Sequence, residues 1–285
     1  PSFQNTQKLA PISPPITASN IFPYKLGMFI LLAYDFRNIR LVIIFQTMLE
    51  VCIDSLESAI NAIHGGVDEL EVCSSLTEGG LTPSVGLVKQ ILEMRPKVNV
   101  MIRCRTGSDF HYSVEEMDTM LSDVDVFKAY GVDRFVFGAL TETQHVDVEN
   151  CTRLLIQADP IPVTFHRAFD VCTNLSMSIT KISELGFDRV LTSGQKATAN
   201  EAEAIELIKT LIVRVGDKVE IMPGAGINLD NVKTFIDIGC KIVHSSCKRI
   251  RYLPKIKNGL RMGTSDIVEL RKPARLLILI LIINS

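Results

Sequence analysis

Residues 48–74, MLEVCIDSLESAINAIHGGVDELEVCS, contain one complete structural unit and the start of its repeat. Leu49-Glu50-Val51-Cys52 alternates apolar and acidic residues, the period of a strand. Ser55 then opens a stretch whose apolar residues Leu56, Ala59, Ile60 and Ile63 recur at helical spacing, and Gly65 closes it. Leu70-Glu71-Val72-Cys73 repeats the first tetrapeptide. A strand, a helix and a second strand within about 25 residues make a βα unit with a parallel partner.

Working outward, the rhythm continues to Cys247. Strands are expected at 49–54, 69–74, 99–104, 134–140, 162–169, 189–194, 219–223 and 242–247, with helices at 55–64, 84–94, 113–130, 149–157, 175–185, 201–215 and 229–238. Gly65, Gly131, Gly186 and Gly239 stand where left-handed helix ends are expected, and Ser113 with Glu116 forms a capping box. Eight such units in about 200 residues imply an α/β (β/α)8 TIM-like barrel. A doubly wound sheet would carry G-x-G-x-x-G after its first strand, and that motif is absent.

The flanks differ from this body. The net charge of −2 hides +3 in residues 1–47, −12 in 48–247 and +7 in 248–285. An acidic body argues against nucleic acid as partner. Residues 1–47 read as disordered or as a gene-model extension, the chain starting with Pro1 and Met48 standing before the first strand. Its apolar runs Met28–Ala33 and Leu41–Phe45 are broken by Asp35, Arg37 and Arg40, and Leu276–Ile283 is short, so no membrane span is expected. Residues 248–285 read as a divergent basic and apolar tail. The eighth helix belongs there, but Arg271-Lys272-Pro273 interrupts any continuous helix, so closure of the barrel is expected to be incomplete. Seven cysteines without a CxxC pair or a clean signal peptide suit a reducing compartment, the cytoplasm, with the nucleus as alternative.

In such barrels chemistry sits at the C-terminal ends of the strands. Strand alternation puts Glu50 with Cys52, and Glu71 with Cys73, on the inward face. Inward thiols on neighbouring strands, about 4.8 Å apart, could hold a soft ion such as Cu(I), form a disulfide, or simply fill a barrel layer. Arg103 and Arg105 share a face; Arg103 is placed to pair an inward Glu or to grip an anion. His166 shares the inward parity of Thr164 and is a candidate general acid or base. Ser193, Gly224, Gly226 and Ser245 end the last three strands and, with Arg105, suit an anion loop, although glycine also permits tight turns.

Seven strings in order, LEVCIDSLESA, GGVDELEVC, EGGLTPS, VTFHRAFD, RVLTSGQK, MPGAGI and HSS, resemble the CutC family over residues 48–246. The family's R-P-R-G-G-D-F is here Arg103-Cys104-Arg105-Thr106-Gly107-Ser108-Asp109-Phe110, one residue longer and with Cys for Pro. The resemblance implies a TIM barrel, a cytosolic location and a homo-oligomer. It also implies copper homeostasis through Cu(I) binding, with Cys52 and Cys73 matching the proposed ligands. Two functions therefore stand side by side. One is a Cu(I) protein using barrel-mouth thiolates. The other is an enzyme on a small anionic or phosphorylated metabolite, with Arg103 gripping it and His166, Glu50 or Glu71 moving protons. No organic cofactor is expected in either.

Overall fold

The computed structural model describes residues 28–35, 38–45, 47–252 and 267–271. Two units divide the chain at Gln46. In the first, β1 (Met28–Asp35) and β2 (Asn38–Phe45) pair antiparallel, Met28 against Phe45. The other residues of the N-terminal region read as disordered, and most of the basic tail, lie outside the described residues.

The second unit is the barrel. Its strands are β3 (Met48–Ile53), β4 (Glu69–Val72), β5 (Lys97–Met101), β6 (Arg134–Phe137), β7 (Val163–Phe165), β8 (Arg189–Thr192), β9 (Glu220–Pro223) and β10 (Ile242–Ser245). All neighbours run parallel, in the order β10-β3-β4-β5-β6-β7-β8-β9. The ring of ladders is open at one place, between β9 and β10.

Among the described residues seven α-helices cover this sheet: α1 (Leu56–His64), α2 (Val85–Glu93), α3 (Val114–Tyr130), α4 (Val148–Ala158), α5 (Leu175–Leu185), α6 (Ala202–Val215) and α7 (Val232–Asp237). Ser55, Ser84, Ser113, Asp147 and Asn174 cap α1 to α5 by accepting a backbone N–H in the first turn, and Ser113–Glu116 is the expected capping box. Gly131, Gly186 and Gly239 are left-handed, but Gly65 is not; with φ −75° it continues the helical conformation and Gly66, at φ +81°, makes the turn. No eighth helix follows β10 among the described residues. The chain instead forms β11 (Lys248–Tyr252), paired antiparallel with β12 (Ile267–Arg271).

Alternation along the strands sorts the residues as expected. Leu49, Val51, Ile53, Leu70, Val72, Val98 and Val100 face the helices in the main apolar core. The interior takes Glu50, Cys52, Glu69, Glu71, Asn99 and Arg189, all buried, with two small apolar clusters, Cys73–Met101–Val136 and Leu191–Met222–Ile242. That interior is where chemistry is possible.

Candidate functional site

Inside the barrel the polar residues fall into two layers. The lower one is built from the beginnings of strands. Arg189 Nη1 donates to Glu69 Oε2 at 2.8 Å, its Nε donates to Glu220 Oε2 at 2.7 Å, and Glu50 Oε2 lies 3.6 Å away. Asn99 Nδ2 bridges Glu50 and Glu69. Glu69 is buried, yet Arg189, Asn99 and Lys97 outweigh that desolvation and hold its carboxyl at about 2.

Glu50 therefore sits lower than the mouth position expected for it. Burial and then the neighbouring Glu71 push its carboxyl above the usual range, although His244 and Arg189 pull the other way. The expected pairing of Arg103 with an inward Glu is not formed; the inward acids meet Arg189, Asn99 and His244 instead.

The upper layer opens to a cavity of about 360 Å³ lined by Cys52, Glu71, Arg103, Phe110, His166 and His244, together with loop residues. Cys52 on β3 stands in register with Glu71 on β4. His244 on β10 closes the group, its Nε2 3.0 Å from Glu71 Oε2 and 3.8 Å from Glu50 Oε1. Burial alone would lower the pKa of His244, but Cys52 and Glu71, both hydrogen-bonded to the ring, raise it well above an ordinary histidine. One ligand atom from each of Cys52, Glu71 and His244 lies within 4.8 Å of the others. His244 is not among the residues expected at the site; its inward parity with Ile242, two residues earlier on β10, is the signal in the sequence that marks it.

Cys73 is not part of this group. Its thiol is wholly buried against Met101 and Val136 and does not line the cavity. Burial first, then the charges of Glu71 and Cys52, push it well above the usual thiol range. A Cβ on Gly80 would lie 3.1 Å from its Sγ. Cys52 lies on β3 and Cys73 directly follows the end of β4, its neighbour in the sheet.

On the same cavity lie Arg103 and His166. Arg103 is buried, and its Nη atoms donate to the carbonyls of Glu78, Gly80 and Gly107 at 3.0, 3.0 and 2.6 Å. Its Nε has no partner, and no carboxylate among the described residues pairs with it. His166 Nδ1 accepts the Ala168 N–H at 3.2 Å. That fixes the proton of the neutral ring on Nε2, which is buried without a partner. Burial, then the Arg103 charge, bring the pKa of His166 down to about 3, so the ring is neutral at physiological pH. A Cβ at position 138 would come within 2.7 Å of His166 Nδ1, so Gly138 makes the space the ring occupies.

The residues expected to form an anion loop are placed differently. Asp170 accepts hydrogen bonds from the Ser193 N–H at 3.0 Å, the Ser193 hydroxyl at 2.9 Å and the Gln195 N–H at 3.3 Å, so the protein's own carboxylate occupies this cradle. Gly224 N–H donates to Thr192 O, and a Cβ there would lie 2.6 Å from Leu191 Cδ1. Ser245 Oγ donates to Ile227 O at 2.8 Å. Arg105 lies outside the cavity, held by Asp109 and Glu116. Of this set only Gly226 lines the cavity.

Comparison with known proteins agrees with this architecture. The CutC family model matches residues 47–249. The chain is 44% identical over 206 residues to a human copper homeostasis protein cutC homolog, covering 72% of this chain and 74% of that protein. It is 40% identical over 231 residues to a family protein CutC of Aliivibrio fischeri, covering 79% and 92%. A solved CutC structure from Streptococcus agalactiae superposes with TM-score 0.65 at 31% identity, over 70% of this chain and 98% of that one. Thiamine phosphate pyrophosphorylase from Pyrococcus furiosus, at 15% identity and TM-score 0.51 over 83% and 95%, shares the fold alone.

Proposed function

The chain belongs to the CutC family, and from that premise we propose that it takes part in copper homeostasis by binding Cu(I) at the barrel mouth through Cys52 and His244. The observation that carries this reading is the convergence of Cys52, Glu71 and His244 ligand atoms within 4.8 Å. Thiolate and imidazole suit a soft ion, and Met101 on the same cavity offers a thioether. Glu71 is a harder donor; its role is to orient the imidazole it hydrogen-bonds.

This differs from a Cys52–Cys73 pair. Cys73 has its pKa raised and is sealed beneath the cavity, so a metal entering from the mouth meets Cys52 first. Competition titration with a chromophoric Cu(I) chelator tests the assignment. Cys52→Ser and His244→Ala should each weaken binding about 100-fold or more, since losing even an outer partner of a ligand costs about 10–100-fold. Cys73→Ser should bind as the parent does. Parent-like affinity in the Cys52 variant would overturn the site, and loss only in the Cys73 variant would restore the two-thiol reading.

The same proposal places the protein in the cytoplasm as a homo-oligomer. No disulfide joins the described cysteines, which supports a reducing compartment. No helix among the described residues is long and apolar enough to cross a membrane. Light scattering on the purified chain tests association; a monomer at micromolar concentration removes that part of the reading.

A further inference from the structure

The cavity holds more than a metal site needs. A volume of about 360 Å³ lies in the range of small-molecule pockets, whereas a two- or three-ligand ion occupies only the space between its donors. Two residues on its wall each carry a buried donor with no partner within the protein, Arg103 at Nε and His166 at Nε2. Both residues flank one ring, the Arg103 guanidinium 5.3 Å and the His166 imidazole 5.0 Å from the centre of Phe110. We infer that the cavity binds a small organic carboxylate carrying a neighbouring oxygen, such as a 2-oxo or 2-hydroxy acid, its carboxylate on Arg103 and its second oxygen on His166.

The donor chemistry selects this class. Buried polar groups are nearly always hydrogen-bonded, so two orphaned donors on one cavity mark where a ligand's acceptors belong. Arg103 is a buried cation that meets only carbonyls, and a desolvated guanidinium favours an anion. His166 offers a neutral N–H, the donor suited to a carbonyl or hydroxyl oxygen. Its low pKa keeps that ring neutral, so it adds a hydrogen bond without a second charge.

A phosphate fits less well. Barrel phosphate sites use backbone N–H groups of the late βα loops. Here the N–H groups of Ser193 and Gln195 are taken by Asp170, and that of Gly224 by Thr192. Of the other cations on the cavity, Arg167 is paired with Asp170 at 2.8 Å and His244 with Glu71 at 3.0 Å. A single uncompensated guanidinium suits a monoanion.

The inference stands apart from the copper reading, because it uses neither Cys52 nor His244. Its test is calorimetric titration of the full chain, in the presence of a metal chelator, with pyruvate, lactate, acetate and inorganic phosphate as probes. Pyruvate or lactate should bind saturably, at least about tenfold more tightly than acetate or phosphate, a factor that corresponds to about 1.4 kcal/mol. His166→Phe should weaken pyruvate at least about tenfold, and His166→Gln, which keeps a side-chain N–H, should recover most of that loss. Arg103→Lys, which retains the charge and donors for the carbonyls, should also weaken it. The inference is overturned by absence of saturable pyruvate or lactate binding, by tighter binding of phosphate, or by parent-like affinity in folded His166→Phe. Failure of Cu(I) binding with pyruvate binding intact would remove the metal site alone.

Discussion

Two arginines buried in one barrel make opposite use of the same side chain. Arg189, in the lower layer, lies against Glu69, Glu220 and Glu50, so its charge is compensated within the protein. Arg103, at the mouth, meets three carbonyls and no acid and leaves Nε unsatisfied. A buried charge costs several kcal/mol unless compensated. The lower layer removes that cost and holds the strands together. The mouth retains it, which is what a binding site does before its ligand arrives. The histidines repeat the contrast. His244 is bound into the cluster of acid and thiol, while His166 keeps one nitrogen unpartnered.

The largest effect should come from breaking the lower layer. Arg189→Leu leaves Glu69 and Glu50 buried without their cation, and losing one partner of a buried pair costs about 3–5 kcal/mol. The urea-unfolding midpoint at pH 7 reads this directly. A loss under about 1 kcal/mol would erase the contrast between the layers.

Next comes acid. The folded pKa of His166, about 3, lies below its ordinary value of 6.5. Between those values an unfolded chain takes up a proton there and the folded chain does not. The stability His166 contributes is thus complete above pH 6.5 and is lost as the pH falls towards 3. At about 1.4 kcal/mol per pH unit, the loss from pH 6.5 to 5 is about 2 kcal/mol. His166→Gln removes this titration, so its unfolding free energy should fall about 2 kcal/mol less over that interval. Equal slopes in parent and variant would mean that the mouth is not desolvated around this ring.

How much of this was legible in the chain follows the same division. The fold was legible because eight strand periods alternate with seven helix periods, and observed elements mostly begin and end within two residues of their expected limits. The exceptions are the strands expected at 99–104, 134–140 and 162–169, which end early at Met101, Phe137 and Phe165, and α7 at its start. Asn228 N–H donates to Asn231 Oδ1, and the turn this makes delays the helix to Val232. At the mouth, parity placed Cys52, Glu71, Arg103 and His166 on the cavity. The lower layer is not legible because its residues, Glu69, Arg189 and Glu220, stand at strand beginnings, away from the strand ends where barrel chemistry sits. The surroundings of the expected anion loop are not legible, because composition shows small residues but not the Asp170 carboxylate that folds back onto Ser193. Long-range partners of that kind carry no local signature.

A smaller effect is expected from the mouth's own arginine. Arg103→Met removes donors from three carbonyls, two of which belong to exposed loop residues, Glu78 and Gly107, that water can reach. It also removes a charge that nothing in the protein compensates. The net loss should be about 1–2 kcal/mol, near the worth of one or two hydrogen bonds. A loss as large as that of Arg189→Leu would make Arg103 a structural residue and weaken its reading as a ligand's partner.

The smallest effect separates self-sufficiency from accumulation in the lower layer. Lys97 Nζ lies 3.4 Å from Glu69 Oε1, but the Lys97 side chain is 54% exposed whereas that of Glu69 is 7% exposed. Its charge is screened by solvent, and exposed pairs contribute about 0–1 kcal/mol. Glu69 already accepts hydrogen bonds from Arg189 and Asn99 on its other oxygen. Lys97→Met should therefore change stability by less than about 0.5 kcal/mol and show little salt dependence. If it costs more than about 1.5 kcal/mol, well above what an exposed pair supplies, Glu69 depends on the rim and not on Arg189. The lower layer would then share the incomplete compensation that distinguishes the mouth.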